Sequence, residues 1–535
     1  MVDYSRKRIQ LVGGRVSRVH LAGLWANRLA DGVGRAECWV TADDEAEAGV
    51  PAVVTNGDRK RGGRVAAAAV GVAALGVGEA IAATRGGSLI DTLGRAAIDV
   101  APVPVVETTV AMSGRHDKII TRSGIGAGVI AAVVGLGALP ERLRTPAATA
   151  LGVGAGALAM RLPTRSTSAV AGAVAATGVL AAGLRRRPRG VLGTLAWAAT
   201  GAGMFAAAHT LQHDLDRKHD NEIRRIGPMG ALGVVPQDGL EDEPGLSPLV
   251  TAARRMYVAD VNLRAPRIDP SHWRLSVKGK VAHPLRLSLP ELAEDAVEFD
   301  AVMVCVHNHA GEGRAANGRW YGVPLSDLLK HAIPESDATR LVTRAVDGYS
   351  ISLPIEPLRS GEWPGYVVIG MNGEPLTPAH GFPARVFVPG LYGQYTGAKW
   401  LGELELTDDN HVDYWWRRGW PSGPLWVTPQ ARIDVAAPGR SAAGTTTVAG
   451  VAWAPPHGVA GVEVRVGEGD WRPADLGTEL APAAWRRWRT TVELPPGEHR
   501  VQARTISRSG EVQEGRHRPP FPTGPSGFHT VTVRV

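Results

Sequence analysis

The sequence predicts a composite chain: a multi-span α-helical membrane region, then an α+β domain, then a C-terminal β-sandwich. Three observations carry this reading. Residues 142–213 contain no Asp or Glu, and carboxylates resume at Asp214 and stay frequent to the end. Apolar stretches at 65–84, 123–140, 146–160, 167–184 and 190–209 are each about 15–20 residues long, near the length a helix needs to cross a hydrocarbon core. After Arg432, short β-rich runs alternate with Gly/Pro turns at the regular spacing of sandwich strands.

Length and composition fit several units in one chain. At 535 residues there is room for about three to four domains. Charged residues at 21%, hydrophobic residues at 44%, 66 Gly and 38 Pro exclude a globally disordered chain, a coiled coil and a collagen-like repeat. Two cysteines, Cys38 and Cys305, exclude a disulfide framework, a multi-Cys zinc ribbon and an iron–sulfur cluster. The net charge of +7 lies mostly beside apolar segments, so no nucleic-acid partner is expected.

Residues 1–63 are polar and irregular, the expectation for a disordered cytoplasmic tail, with no cleavable signal peptide. Residues 64–211 form the membrane region with about five helices, rich in the small residues that let helices approach closely in lipid. Ten basic residues (Arg59, Lys60, Arg61, Arg64, Arg142, Arg144, Arg185, Arg186, Arg187 and Arg189) fall in loops on the N-terminal side. Seven (Arg85, Arg95, Arg115, Lys118, Arg122, Arg161 and Arg165) fall opposite. That bias sets the N-terminus in the cytoplasm, and five crossings then leave everything after His213 outside. The stretch 98–112 is apolar, but Pro102, Pro104 and Glu107 suit an interfacial position better than a span. No span carries paired histidines, His209 standing at the end of the last, so no haem between helices is expected.

Residues 212–250 read as a linker, with the acidic run 241–243. Residues 251–410 read as the α+β domain: 273–281 alternates as a strand, 299–306 is a continuous apolar run suited to a buried strand, 324–331 is helical and 384–388 is again β. A connector at 411–433 leads to the sandwich at 434–535, where Trp453, Trp471, Trp485 and Trp488 are expected in packing roles.

The chemistry concentrates at Cys305, where an apolar strand empties into the polar loop Val306-His307-Asn308-His309-Ala310-Gly311-Glu312-Gly313. A free cysteine there reads either as a buried structural thiol or, with His307 and His309, as a thiolate–imidazole set for zinc or copper. From spacing alone both readings stand.

The wider pattern adds a third. The segments Trp320-Tyr321-Gly322-Val323-Pro324-Leu325, Asp347-Gly348-Tyr349-Ser350 and Asn372-Gly373-Glu374-Pro375-Leu376 follow the cysteine strand in that order. Next come His380-Gly381-Phe382-Pro383-Ala384-Arg385-Val386-Phe387-Val388-Pro389-Gly390 and then Lys399-Trp400-Leu401. Together they resemble the sulfite oxidase family of molybdopterin-dependent oxidoreductases over roughly 250–535, and the helices ahead of them resemble a membrane-anchored, actinobacterial-type branch.

The resemblance implies a molybdopterin-binding (sulfite oxidase-like) α+β domain, an Ig-like β-sandwich that dimerises, and molybdenum–molybdopterin as cofactor. It implies Cys305 as the protein thiolate on molybdenum, Tyr349 as a catalytic residue near the metal's oxo group, and Asn308, His380, Arg385 and Lys399 as cofactor-binding residues. A guanidinium and an ammonium suit a buried phosphate.

Departures leave the substrate open. The family's sulfite-binding arginines have no clear match in the loop after Cys305, and Gln394-Tyr395-Thr396-Gly397-Ala398 replaces the Arg-His-Val expected before the Lys-Trp pair. The roles of His307 and His309 also stay open, as cations of a substrate pocket or as loop hydrogen bonders.

The expected function is two-electron oxo-transfer on a small sulfite-like or sulfoxide-like substrate, at an extracytoplasmic membrane-anchored domain. A cytochrome or similar separate protein exchanges the electrons. The other readings are a non-enzymatic membrane receptor or scaffold, and the Cys/His zinc or copper enzyme. Because molybdopterin domains are expected to fold around cofactor in the cytoplasm, Arg185-Arg186-Arg187-Pro188-Arg189 ahead of the weakly apolar last span reads as a twin-arginine export signal, or as ordinary positive-inside punctuation.

Overall fold

The computed structural model describes residues 56–535, except 103–104, 106–107, 110–116, 162–165, 187, 189, 231–234, 236, 409–410 and 439–443. Most of the expected tail, much of the 98–112 stretch, and Arg187 and Arg189 lie outside the described residues. Among the described residues, six helices come first: α1 (Asn56–Ala83), α2 (Leu89–Val100), α3 (Asp117–Ala138), α4 (Glu141–Arg161), α5 (Thr167–Arg185) and α6 (Gly190–Arg224).

Four of them are long and apolar enough to cross a membrane: Gly62–Ala83, Lys118–Ala138, Thr167–Arg185 and Gly190–Arg224. The fifth expected span, 146–160, forms inside α4, but that helix, rich in Ala, Gly and Thr, is not apolar enough over a spanning length to qualify. The count by length and composition is therefore four where the sequence suggested about five.

Small residues set the packing. A Cβ on Gly76 of α1 would collide with the backbone of Gly201 on α6, and a Cβ on Gly172 of α5 would collide with the carbonyl of Gly78. Only glycine lets those backbones come so close. The last helix corrects a boundary: α6 does not stop at the apolar stretch but continues to Arg224, so the first part of the expected linker, 212–224, is helical.

Helix α2 is amphipathic, with Ser88 as N-cap accepting from the Asp91 amide at 3.0 Å. The Glu79 side chain accepts from the Ile90 amide and from Ser88 Oγ, satisfying donors at the start of α2.

The α+β domain holds two sheets. In the first, β1 (Leu275–Gly279) runs parallel to β10 (Leu401–Thr407), in the order β2-β1-β10-β5-β6 with β2 (Leu285–Leu287), β5 (Arg340–Ala345) and β6 (Ser350–Pro354). In the second, β3 (Val297–Val304), β4 (Ala315–Pro324), β7 (Tyr366–Met371) and β8 (Glu374–Pro375) are neighbours in that order, and β9 (Arg385–Phe387) pairs with β7. Both sheets share one core, in which Trp320 meets the edge of Phe387 at 5.0 Å and Phe299 stacks on Tyr366 at 3.8 Å.

After a connector, two four-stranded antiparallel sheets face each other. One runs β11-β12-β16-β15 (Gln430–Pro438, Thr445–Trp453, Arg486–Glu493, Asp475–Leu476). The other runs β14-β13-β17-β18 (Arg472–Pro473, Val459–Val466, Glu498–Ser507, His529–Arg534). Ile433, Val448, Val462, Trp488, Val501 and Val533 fill the space between them. Trp453, Trp485 and Trp488 are buried, whereas Trp471 lies under the guanidinium of Arg504 at 4.3 Å. Truncating fully buried Trp488 to Ala should remove about 3–5 kcal/mol from this unit. A drop in the denaturant midpoint of the C-terminal transition checks this, and an unchanged midpoint would contradict the packing.

Candidate active site

Strand β3 becomes fully buried over its last four residues and delivers Cys305 to the edge of the core as a free, buried thiol. The Cys305 amide donates to the Arg314 carbonyl at 2.9 Å, closing the neck of the loop that leads into β4. Within that loop the Asn308 amide donates to the Cys305 carbonyl at 3.0 Å, and Asn308 Oδ1 accepts from the Arg314 amide at 2.7 Å. Those contacts fix the side chain with its Nδ2 buried and unpartnered.

A second segment converges from the other side. The turn Pro378–His380 ends at Gly381, whose φ of +110° is a glycine conformation. A Cβ there would lie 3.1 Å from Lys399 Cβ and 3.3 Å from Arg385 Cβ, so the three family positions His380, Arg385 and Lys399 gather around one turn. Arg385 Nη1 donates to the His380 carbonyl at 3.3 Å, and Lys399 Nζ donates to the Ala379 carbonyl at 2.9 Å.

His380 Nδ1 meets Thr377 Oγ1 at 2.6 Å while Nε2 is buried without a partner. Burial, reinforced by the charges of Lys399 and Arg385, pulls its pKa down to about 4, so the ring is neutral. Burial also pulls Arg385 down to about 10. Its Nε has no partner, and among the described residues no carboxylate pairs with it. Burial brings Lys399 down to about 8 against the opposing charge of Asp260, whose Oδ2 lies 2.7 Å from Nζ.

Tyr349 sits at the turn between β5 and β6, its amide held by Asp347 Oδ1 at 3.0 Å. Its hydroxyl donates to the Gln394 carbonyl at 2.7 Å and accepts from Trp415 Nε1 at 3.0 Å. Burial raises its pKa well above the ordinary phenol value, so it keeps its proton. The neighbouring Gly393 amide donates to the Val304 carbonyl at 2.8 Å, which ties the tyrosine side of the site to the cysteine strand.

Sequence reasoning missed Tyr257 and Gln394. A Cβ on Gly393 would lie 3.0 Å from Tyr257 Oη, and both that hydroxyl and Gln394 Nε2 are buried without a partner. Neither residue lies in a spacing pattern that marks it; each is drawn in by the fold. The proposed Cys305–His307–His309 metal set is corrected. His307 turns its ring to Trp420, with centroids at 6.0 Å, and His309 stacks on His517 at 6.2 Å. Among the described residues no group of three His, Cys, Asp or Glu side chains is placed to hold a metal ion.

Comparisons with known proteins agree with this geometry. Residues 262–415 match the family described as the oxidoreductase molybdopterin binding domain. Mitochondrial sulfite oxidase of Homo sapiens is 28% identical over 285 residues, covering 44% of this chain and 52% of its own. The uncharacterized oxidoreductase YuiH of Bacillus subtilis is 34% identical over 153 residues, which is 28% of this chain and 74% of its own. The chain belongs to the sulfite oxidase family of molybdopterin oxidoreductases.

This sulfite oxidase-family chain spans about half the length of the human sulfite oxidase it matches. Among solved structures, the sulfane dehydrogenase SoxCD from Paracoccus pantotrophus aligns over 56% of this chain and 88% of its own, at 21% identity and a TM-score of 0.48.

The family's cofactor is molybdenum–molybdopterin, and the site fits it. A free cysteine sulfur, a soft ligand type, stands just past the end of β3. Asn308 Nδ2, Arg385 Nε, Gln394 Nε2 and Tyr257 Oη are buried N–H or O–H groups without partners, as an acceptor-rich ligand requires. Arg385 and Lys399 bring two buried cations against the single Asp260 carboxylate, and an uncompensated buried charge of that kind calls for an anion.

Proposed function

We propose that the chain is a membrane-anchored oxidoreductase performing two-electron oxo-transfer on a small substrate, sulfite-like or sulfoxide-like, and exchanging electrons with a separate redox protein such as a cytochrome. The observation that carries this reading is the pairing of a buried free thiol, Cys305, with a cluster of unpartnered buried donors around two cations. Molybdenum–molybdopterin, when bound, supplies the redox and oxo-transfer chemistry.

The protein's part is to bind, orient and exclude water. Cys305 offers the thiolate to the metal. Arg385 and Lys399 take the phosphate; neutral His380, with Asn308, Gln394 and Tyr257, completes the hydrogen bonds to the pterin. Tyr349 stands in the site as a neutral phenol, since burial keeps its proton on, and its O–H would turn from the Gln394 carbonyl to reach a substrate. The Ig-like character of the C-terminal sandwich and its role as a dimerisation surface belong to the same proposal.

Molybdenum and pterin assays on the purified full chain test it, followed by turnover of sulfite with an oxidised cytochrome and of a sulfoxide with a reduced donor. Stoichiometric molybdenum and pterin with turnover of either substrate support the reading. Absence of both, or zinc or copper alone, would overturn it.

An extracytoplasmic domain follows if α4 crosses the membrane with the four qualifying helices, and the arginines from Arg185 onward then act as an export signal. Replacing Arg185, Arg186 and Arg187 with Lys keeps the charge, so the expected result is a domain retained inside and protected from external protease. Undiminished cleavage from outside would rule the export signal out.

A further inference from the structure

The N-terminal helices reach the loops that carry cofactor residues at three points. Arg95 of α2 donates from Nη1 to Asp347 Oδ2 at 3.1 Å, beside the Tyr349 turn. His219 of α6 packs edge-on against Phe382, with centroids at 5.9 Å, beside the His380 turn. The third contact ends on a cofactor residue. Lys118, in the first turn of α3, lies 3.0 Å from Asp260 Oδ1, and Lys399 lies 2.7 Å from Asp260 Oδ2. The shared carboxylate is 6% exposed, Lys399 11% and Lys118 28%.

We propose that Lys118 is a positioning residue of the cofactor site: from a membrane helix, through Asp260, it orients the Lys399 ammonium and keeps it an effective anion binder. This rests on the reading of Lys399 as a phosphate ligand. Because Lys118 also draws on the Asp260 carboxylate, Asp260 does not neutralise the Lys399 ammonium alone, and Lys399 keeps more of its charge for an anion. Engaging both Asp260 oxygens also fixes the carboxylate plane, and with it the direction of the Lys399 ammonium. That ammonium has three N–H donors; Asp260 and the Ala379 carbonyl take two, leaving one for the anion.

The charged groups acting on Lys399 are Asp260, Lys118 and Arg385, and His380 stands alongside as a neutral ring. Burial pushes Asp260 up, but Lys399 and Lys118 outweigh it and hold the carboxyl below its usual range, so it stays ionised. Burial lowers Lys399 to about 8, and the like charge of Lys118 adds to that lowering. Phosphate retention that depends on the ammonium should therefore weaken as pH rises through about 8. Removing Lys118 withdraws a like charge, so the alkaline loss should move to higher pH even as retention at neutral pH falls. Disrupted packing alone would not shift a titration upward.

The test compares full-length wild type, Lys118→Met, Lys118→Arg and Lys399→Met in detergent. Molybdenum and pterin per chain are measured after incubation across pH 6–10 (roughly the range over which a lysine lowered as Lys399 is titrates), with thermal unfolding of the cofactor-free forms as the folding control. Lys118→Met should unfold like wild type, retain about fivefold less cofactor at neutral pH, and lose the remainder at higher pH than wild type. Lys118→Arg should restore retention. Should Lys118→Met not fold, Lys118→Gln, which keeps a donor to Asp260 without the charge, carries the same two readouts.

Full retention with an unshifted pH profile in Lys118→Met, alongside a depleted Lys399→Met, would overturn the role of Lys118. Full retention in Lys399→Met would instead overturn the phosphate reading on which it rests.

Discussion

Cys305→Ser should abolish turnover and the thiolate-to-molybdenum absorption band, while leaving the α+β domain folded. The loop neck is held by main-chain contacts, from the Cys305 amide to Arg314 and from the Asn308 amide to Cys305, and a change of Sγ to Oγ breaks neither. Burying a hydroxyl in place of the thiol costs about 1–3 kcal/mol, small against the stability of a core this size. On the proposed assignment, the loss of a soft ligand would take the protein's sulfur from the metal, and a neutral serine hydroxyl is a poor substitute. Steady-state turnover, visible absorption and circular dichroism on one preparation check all three parts. An active variant with an unchanged spectrum would return Cys305 to the role of a structural thiol.

Arg385→Ala should cut cofactor content by about ten- to a hundredfold, while turnover per bound cofactor stays near wild type. The range follows from about 1.5–3 kcal/mol for hydrogen bonds to a charged group. A phosphate clamp acts on binding and stands apart from the reacting atoms, so the effect should fall on occupancy. The apoprotein should respond in the opposite sense. With burial lowering Arg385 and no carboxylate partner among the described residues, the cation is an unfavourable charge until an anion arrives. Arg385→Met, which fills similar volume without the charge, should leave the cofactor-free protein at least as heat-stable as wild type. Stoichiometric cofactor in Arg385→Ala, or a clearly less stable Arg385→Met apoprotein, would contradict the clamp.

Legibility followed the range of the interaction. Helices α1, α3, α5 and α6 were readable because apolar composition over a span length is a local property. The stretch 146–160 has the helix but not the apolar content of a span, because its Ala, Gly and Thr residues are only weakly hydrophobic. The extension of α6 to Arg224 was missed since a polar, charged segment carries no apolar signal, and its helical state depends on the surfaces it meets, such as Phe382 against His219. Helix α2 was missed for a similar reason: its N-cap contacts include Glu79 of the preceding helix.

In the site, Cys305 stood out because an apolar strand empties into a polar loop there, whereas its role and those of His380, Arg385 and Lys399 came only from the resemblance of the motif order to a known family. The sequence alone thus determined that the chain carries apolar helices of membrane length, that a cysteine ends a buried strand, and that His380, Arg385 and Lys399 belong to one motif. Only the tertiary structure decided which polar groups face one another. Tyr257 and Gln394 join the site through packing around Gly393, and His307 and His309 turn to Trp420 and His517, away from any shared metal position. Lys118 and Lys399 meet on Asp260 across 142 and 139 residues of sequence. No local period encodes such a meeting, because a buried charge finds its partner only after the hydrophobic core has fixed which surfaces are brought together.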